Sequence, residues 1–275
     1  MIEKPKLVIC DIDWTLLSRQ KRDLDAYTLG VFEKMHRDGV MFGVASGRPI
    51  KEVQRVYDSW GLSFPCDVII AMNGGELWDE KNRKFSEYFK LKKEWVREIV
   101  ENTMQFSPEV NPYMYYHDSI KAMKESEVIE GTAIRNNYPL VIAKDVDDFA
   151  DEDNGKIMIR LFERMDEFAK YLDEHPSANY HHFLTQETLM EFADSRISKG
   201  HALEQYCKAA NVSLDTVMAF GDTTNDNDMI AAAGWGVCLL NGSDDTKAIS
   251  NDITEVGVEE DGVAKYIEQH IYGVC

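Results

Sequence analysis

Residues 6–12, KLVICDI, form a short apolar run, the pattern of a strand buried on both faces of a sheet. Leu24, Thr28, Val31, Phe32 and Met35 follow at the spacing of one helix face, which closes at Gly39. VMFGVA (residues 40–45) repeats the strand pattern, and Val53, Val56, Tyr57 and Trp60 repeat the helix pattern up to Gly61. DVIIAM (67–72) is a third buried strand. Strand, helix, strand, helix, strand predicts a parallel sheet with right-handed crossovers.

The texture changes after Asn73-Gly74-Gly75. Residues 76–89 read as a hairpin turning near 80–83, and Trp95, Val96, Ile99, Val100 and Thr103 mark a helix. KIMIRLF (156–162) is a strand, Met165, Phe168, Ala169 and Leu172 mark a helix, and NYHHFL and TLMEFA are two further strands. Strands paired between helices predict an α+β module with an antiparallel sheet. The alternating texture returns at Lys199, with a helix face at Leu203, Tyr206, Cys207 and Ala210. It continues with the strand VMAFGD, a helix over 227–233, the strand WGVCLL, a strand near Ile253 and a helix over 262–271. The expected fold is α/β, a Rossmann-like, doubly wound parallel core built from 1–83 and 193–275, with an α+β cap inserted at 84–192.

A formal net charge of −19 argues against a nucleic-acid partner, because polyanion binding rests on Lys and Arg neutralising phosphates. It also repels an anionic small substrate at long range, so such a substrate needs a local cationic site. Cys10, Cys66, Cys207, Cys238 and Cys275 are scattered, without a CxxC pair, as expected of reduced thiols. No apolar run is long enough for a signal peptide or a membrane span. The expectation is a cytoplasmic protein with no membrane partner.

Ligands of open parallel sheets bind at the carboxyl ends of the strands. Four polar clusters fall at such ends or at a helix start: Asp11 with Asp13, Ser46-Gly47-Arg48, Lys199-Gly200, and the run 221–226, GDTTND. Carboxylates converging on one point repel one another, and a hard cation resolves this. Oxygen ligands with room for water suit Mg²⁺. A phosphate completes the arrangement by meeting Lys199, the Ser46 hydroxyl and loop N–H groups.

These clusters resemble the four motifs of the haloacid dehalogenase superfamily: DIDWT for DxDxT, ASGR, SKG, and GDTTND for GDxxND, in the right order. With IAMNGGEL before the insertion and EDGVAKYIE near the end, the chain is most similar to the Cof-type sugar-phosphatase branch. The resemblance implies that Asp11 is a nucleophile forming an aspartyl-phosphate and that Asp13 is the general acid, then the base. It implies Mg²⁺ held by Asp11, the Asp13 carbonyl and Asp222, with Asp226 in or beside that set. Ser46 and Lys199 would grip the phosphoryl oxygens, with Gly47, Arg48, Asn73 and Asn225 as further phosphate or substrate contacts. The expected substrate is a small phosphomonoester, selected by the cap.

Two other functions share these motifs, a hexose-phosphate phosphomutase and a non-catalytic phospho-ligand sensor. The intact Asp11, Asp13, Lys199 and Asp222 argue against the sensor. A dehalogenase needs neither Asp13 as acid nor the metal cluster. His181 and His182 are neighbours on a strand and face opposite ways, which argues against a shared zinc. The acidic run 145–155 misses the EF-hand spacing and reads as a solvated loop. Tyr113, Tyr115 and Tyr116 read as core, and Cys10 should point away from the site into packing. At Trp14 relatives of this type usually carry glycine. Since other residues occur there, the backbone need not take a positive φ. Either the indole packs beneath its loop, or it stands at the core–cap seam and walls the leaving-group pocket.

Overall fold

The computed structural model describes residues 4–273, so Cys275 lies outside the described residues. The chain starts with β1 (Leu7–Asp11), α1 (Ala26–Arg37), β2 (Met41–Ala45), α2 (Ile50–Ser59), β3 (Val68–Ala71), β4 (Glu76–Asp79) and β5 (Lys84–Glu87). It continues through α3 (Lys93–Phe106), β6 (Tyr113–Tyr116), β7 (Ser119–Ala122), α4 (Glu127–Arg135), β8 (Leu140–Ile142) and α5 (Val146–Phe149). Next come β9 (Ile157–Arg160), α6 (Met165–Glu174), β10 (Tyr180–Gln186) and β11 (Leu189–Asp194). It ends with α7 (Lys199–Ala210), β12 (Val217–Gly221), α8 (Asn227–Ala232), β13 (Trp235–Cys238), α9 (Asp244–Ile249), β14 (Asp252–Ile253) and α10 (Gly262–Tyr272). Two units result, one from the segments up to Tyr88 and from Ser198 on, the other from Phe89–Ile197.

The first unit is an eight-stranded sheet in the order β14-β13-β12-β1-β2-β3-β4-β5. The six strands from β14 to β3 pair in parallel, and β4 and β5 close one edge as an antiparallel hairpin. Alternate residues of β1 feed two cores. Val8 and Cys10 pack with Phe32, Val53, Tyr57 and Ile267 of α1, α2 and α10, while Leu7 and Ile9 pack with Leu203, Tyr206 and Met229 of α7 and α8. Helices on both faces explain why these strands read as apolar runs rather than as alternation. The expected boundary at 83/84 falls inside the hairpin. Because β5 pairs with β4 from Glu87 to Lys84, the chain stays with this sheet through Tyr88, and the return likewise shifts from 193 to 198.

The second unit is a six-stranded sheet in the order β10-β11-β9-β6-β7-β8. Its pairs are antiparallel except β7–β8, which α4 joins in parallel, so the expected all-antiparallel sheet is mixed at one edge. One face packs on α3 and α6 through Ile99, Val100, Phe168 and Leu172, and the other on α4 through Ile129 and Ala133. Tyr113 is buried in the second of these cores, as expected, and Tyr115 packs at its margin.

Candidate active site

The chain order reverses between β1 and β12, so the carboxyl ends of these two neighbours form the switch point at which such sheets hold ligands. Asp11 ends β1, and Asp222 follows β12 directly. Ser198 caps α7, its side chain accepting from the His201 N–H, and so fixes Lys199 as the first helical residue. The Lys199 side chain is 0% exposed. Its Nζ lies 2.6 Å from Asp11 Oδ1 and 2.6 Å from Asp226 Oδ1.

Asp226 is locked from its other side. Its Oδ2 accepts the backbone N–H groups of Asp222 at 3.0 Å and Thr223 at 3.3 Å, closing a reciprocal capping box with Thr223. A Cβ on Gly221 would lie 2.5 Å from the Asp226 side chain, so only glycine lets this carboxylate fold back over β12. Asp222 Oδ1 accepts from the Thr15 hydroxyl at 3.1 Å. Thr15 is the final position of DIDWT and received no role above. A buried hydroxyl at the end of a motif was the available signal.

Asp11, Asp222 and Asp226 each place an oxygen within 4.8 Å of the others, all three buried. This is the one such group of metal-ligating side chains among the described residues. Burial pushes Asp11 well above the carboxylate range, with Lys199 pulling it back and Asp226 and Asp222 adding to the rise. Burial, then Asp226, pushes Asp222 up to about 7. Burial works against the Lys199 charge, yet Asp11 and Asp226 outweigh it and hold the ammonium above its ordinary value. Three carboxylates against one ammonium thus leave buried negative charge that the chain alone does not neutralise. That donor chemistry fits a divalent cation.

The other predicted residues gather on the same strand ends. Ser46 is buried after β2, with its hydroxyl accepting the Arg48 N–H at 3.2 Å. The Arg48 guanidinium forms a two-pronged pair with Asp13, Nε to Oδ2 at 2.9 Å and Nη2 to Oδ1 at 2.5 Å. Asn73 is buried after β3, and its Oδ1 accepts from Asn225 Nδ2 at 3.2 Å. The Oδ1 of Asn225 is buried without a hydrogen-bond partner. Gly47 sits close against Asn73, whose Oδ1 would lie 3.1 Å from an added Cβ.

Trp14 departs from the ordinary backbone and from the buried indole that the sequence allowed. Its φ is +69°, and the residue is 44% exposed rather than packed beneath the loop. Its N–H donates to the Leu17 carbonyl at 2.5 Å, which closes the loop tightly, and Asn241 Nδ2 donates to the Trp14 carbonyl at 2.9 Å. Asn241 was missed because an Asn-Gly pair after a strand reads as an ordinary turn.

The remaining candidates lie elsewhere. His182 Nε2 meets Asp173 at 3.1 Å, while the half-buried His181 lies against Phe183. In the acidic run, Asp145 caps α5, Asp151 accepts from the Tyr116 hydroxyl, and Asp153 accepts the Lys93 N–H. These carboxylates serve local structure on an exposed segment. Cys10 is buried among apolar side chains, as expected.

A model of the haloacid dehalogenase-like hydrolases matches residues 8–267. The chain is 27% identical to the 5-amino-6-(5-phospho-D-ribitylamino)uracil phosphatase YitU of Bacillus subtilis, over 98% of this chain and 99% of that protein. It is 23% identical to the phosphatase YwpJ of the same organism, over 94% and 97%. Among solved structures, a haloacid dehalogenase-like hydrolase from Bacteroides thetaiotaomicron superposes with a TM-score of 0.82 at 22% identity, covering 97% of this chain and 99% of that one. The subclass IIB sugar phosphatase BT4131 superposes with a TM-score of 0.79 at 19% identity, covering 98% and 100%. No helix among the described residues is long and apolar enough to cross a membrane.

Proposed function

The chain belongs to the haloacid dehalogenase-like hydrolase family, and from that premise we propose that this Cof-type phosphatase hydrolyses small phosphomonoesters through a covalent intermediate on Asp11. The observation that carries the proposal is the buried ammonium of Lys199 shared between Asp11 and Asp226, with Asp222 in the same cluster. The names of relatives such as YitU and YwpJ support a phosphate ester as substrate.

An Asp11 oxygen attacks phosphorus, the bond from phosphorus to the ester oxygen breaks, and Asp13 delivers a proton to the departing alkoxide. Asp13 then takes a proton from water, which attacks phosphorus and frees Asp11 and inorganic phosphate. Lys199 opposes the burial that disfavours the Asp11 charge and aims its carboxylate, and Ser46 offers its hydroxyl to a phosphoryl oxygen. In the structure both Asp13 oxygens accept from Arg48, so Asp13 must leave that pair before it can hold a proton for the alkoxide. A phosphate dianion competes for the same guanidinium and so favours the release. Asn73 and Asn225 present amide groups to the substrate side, Gly47 leaves room for Asn73, and the Phe89–Ile197 unit acts as the specificity cap.

Asp11, Asp222 and the Asp13 carbonyl would hold Mg²⁺, with Asp226 beside them because both of its oxygens already serve Lys199 and backbone N–H groups. When bound, the cation offsets carboxylate charge and polarises a phosphoryl oxygen.

Release of inorganic phosphate from a panel of small phosphate esters tests the reading. Activity is expected to need Mg²⁺, to vanish with EDTA and to fall with Ca²⁺, whose larger, looser ligand shell suits in-line transfer poorly. Full turnover by chelated protein, or conversion of a hexose 1-phosphate to its isomer without phosphate release, would overturn it.

A further inference from the structure

Trp14 follows Asp13 directly yet holds φ at +69°, a region that sterics leave to glycine and that a bulky aromatic residue occupies only under strain. Such strain persists where the surroundings over-determine the backbone, and it gathers where ligands are handled. Three hydrogen bonds over-determine it here. The Trp14 N–H reaches the Leu17 carbonyl, the Trp14 carbonyl accepts from Asn241 Nδ2, and Asn241 Oδ1 accepts the Val258 N–H at 2.8 Å. The side chain gains little in return within the chain. Trp14 is 44% exposed, and the described residues give its indole no hydrogen bond, ring contact or cation contact. Leu240, next to Asn241, is 48% exposed as well. Exposed apolar area is therefore kept one residue from Asp13, in a chain of net charge −19.

We infer that Trp14 is an aromatic platform that selects phosphomonoesters whose leaving group presents the face of a ring close to the ester oxygen. This inference rests on the phosphatase reading above. Asp13 must touch the ester oxygen, and the Trp14 Cα lies about 3.8 Å further along the chain. That one-residue spacing puts the indole within reach of the part of the leaving group nearest that oxygen. The negative face of the indole and its large apolar area suit the face of a heteroaromatic ring or the C–H face of a sugar ring. An acyclic polyol, hydrated along its length, gains little from the same surface.

The test compares kcat/KM of the Mg²⁺-loaded enzyme for pyridoxal phosphate, glucose 6-phosphate and glycerol 3-phosphate in the wild type, Trp14→Gly and Trp14→Phe. Trp14→Gly is expected to lower the ratio of ring-bearing to acyclic ester about tenfold, mostly through KM, which corresponds to about 1.4 kcal/mol. Trp14→Phe should keep most of the ratio, and the ring ester that leads tells a heteroaromatic preference from a sugar preference. A ratio that Trp14→Gly leaves unchanged, or an equal loss on all three esters with a lower Tm, overturns the platform. Calorimetric binding of the same esters to Asp11→Asn, with and without Trp14→Gly, reads recognition without turnover. Ring preference in binding to Asp11→Asn, beside a wild type that releases no phosphate from any of the esters, keeps the platform and discards the phosphatase reading. Equal binding of ring and acyclic esters to Asp11→Asn overturns the platform whatever the turnover.

Discussion

Lys199 and the carboxylates around it set the chemistry at the scale of single residues. Asp11→Asn removes the proposed nucleophile while leaving a side chain of the same shape, so turnover should fall at least about a thousandfold with no loss of Tm. A phosphate-release assay beside a melting curve checks both halves. Lys199→Met instead leaves Asp11 and Asp226 buried without their cation. It should cost about 3–5 kcal/mol in urea unfolding as well as activity. Asp222 gives the pH dependence. Its folded value is raised to about 7, whereas the unfolded chain ionises it near about 4. Between those values the folded protein holds a proton that the unfolded chain has lost. The stability this gives is complete below about pH 4 and is lost as pH rises through about 7. Metal-free protein should therefore lose Tm between about pH 5 and 8 by more than Asp222→Asn does, and Mg²⁺ should restore the wild type at the upper end. Equal slopes in the two metal-free proteins would contradict the assignment.

Between β3 and β4, Met72, Asn73 and Gly74 hold φ at +51°, +55° and +102°, a consecutive left-handed stretch that no helix or strand could contain. Hydrogen bonds from Met72 N–H to the Arg48 carbonyl and from Asn73 N–H to the Ser46 carbonyl tie this element to the loop after β2. The turn thus carries Asn73 to Asn225 and couples two motifs that lie far apart in sequence. A Cβ on Gly74 would stand 2.0 Å from the Ser198 carbonyl, directly before Lys199. Gly74→Ala is expected to cost about 2–4 kcal/mol and to lower activity by displacing Lys199 and Asn73 together. Gly30 provides the contrast. It lies exposed within α1 with nothing within 4 Å of an added Cβ, so Gly30→Ala should stabilise by about 0.5–1 kcal/mol and leave turnover alone. Urea unfolding of the two variants side by side checks the pair of predictions.

For the molecule as a whole, each unit closes its own apolar cores. Val8, Phe32, Phe42 and Ile267 belong to one, and Ile99, Ile157, Phe168 and Phe192 to the other. Replacing residues 89–197 by a short Gly/Ser linker between Tyr88 and Ser198 is therefore expected to leave a cooperatively folding core. That core should retain slow hydrolysis of an aryl phosphate and lose discrimination among natural esters, because it keeps Asp11, Asp13, Ser46, Lys199 and Asp222. Residues 89–197 expressed alone should likewise melt cooperatively by circular dichroism. Loss of folding in the shortened core, or unchanged discrimination by it, would count against the cap reading.

The sequence by itself determined most of the first unit. Strands buried on both faces leave apolar runs, their crossover helices leave a 3.6-residue period, and the polar clusters follow the strand ends. Asp11, Asp13, Ser46, Lys199, Asp222 and Asp226 were legible because each occupies a fixed place after such a strand or at a helix start. The second unit was harder to read. β6, β7, α4, β8 and α5 are short, and YMYY and SIKA carry neither a clean alternation nor a helical period, so local pattern could not tell strand from loop. The parallel pairing of β7 with β8 depends on where α4 packs, which is a long-range matter. Tertiary structure alone decided the Arg48–Asp13 pair, the Thr15 hydroxyl on Asp222, and Asn241 beneath Trp14. These contacts join residues from 35 to 227 positions apart, and side-chain chemistry fixes what a residue can bond but not which distant partner the fold brings to it. The positive φ of Trp14 has the same origin, since the hydrogen bonds that impose it come from Leu17 and Asn241 rather than from any preference of tryptophan.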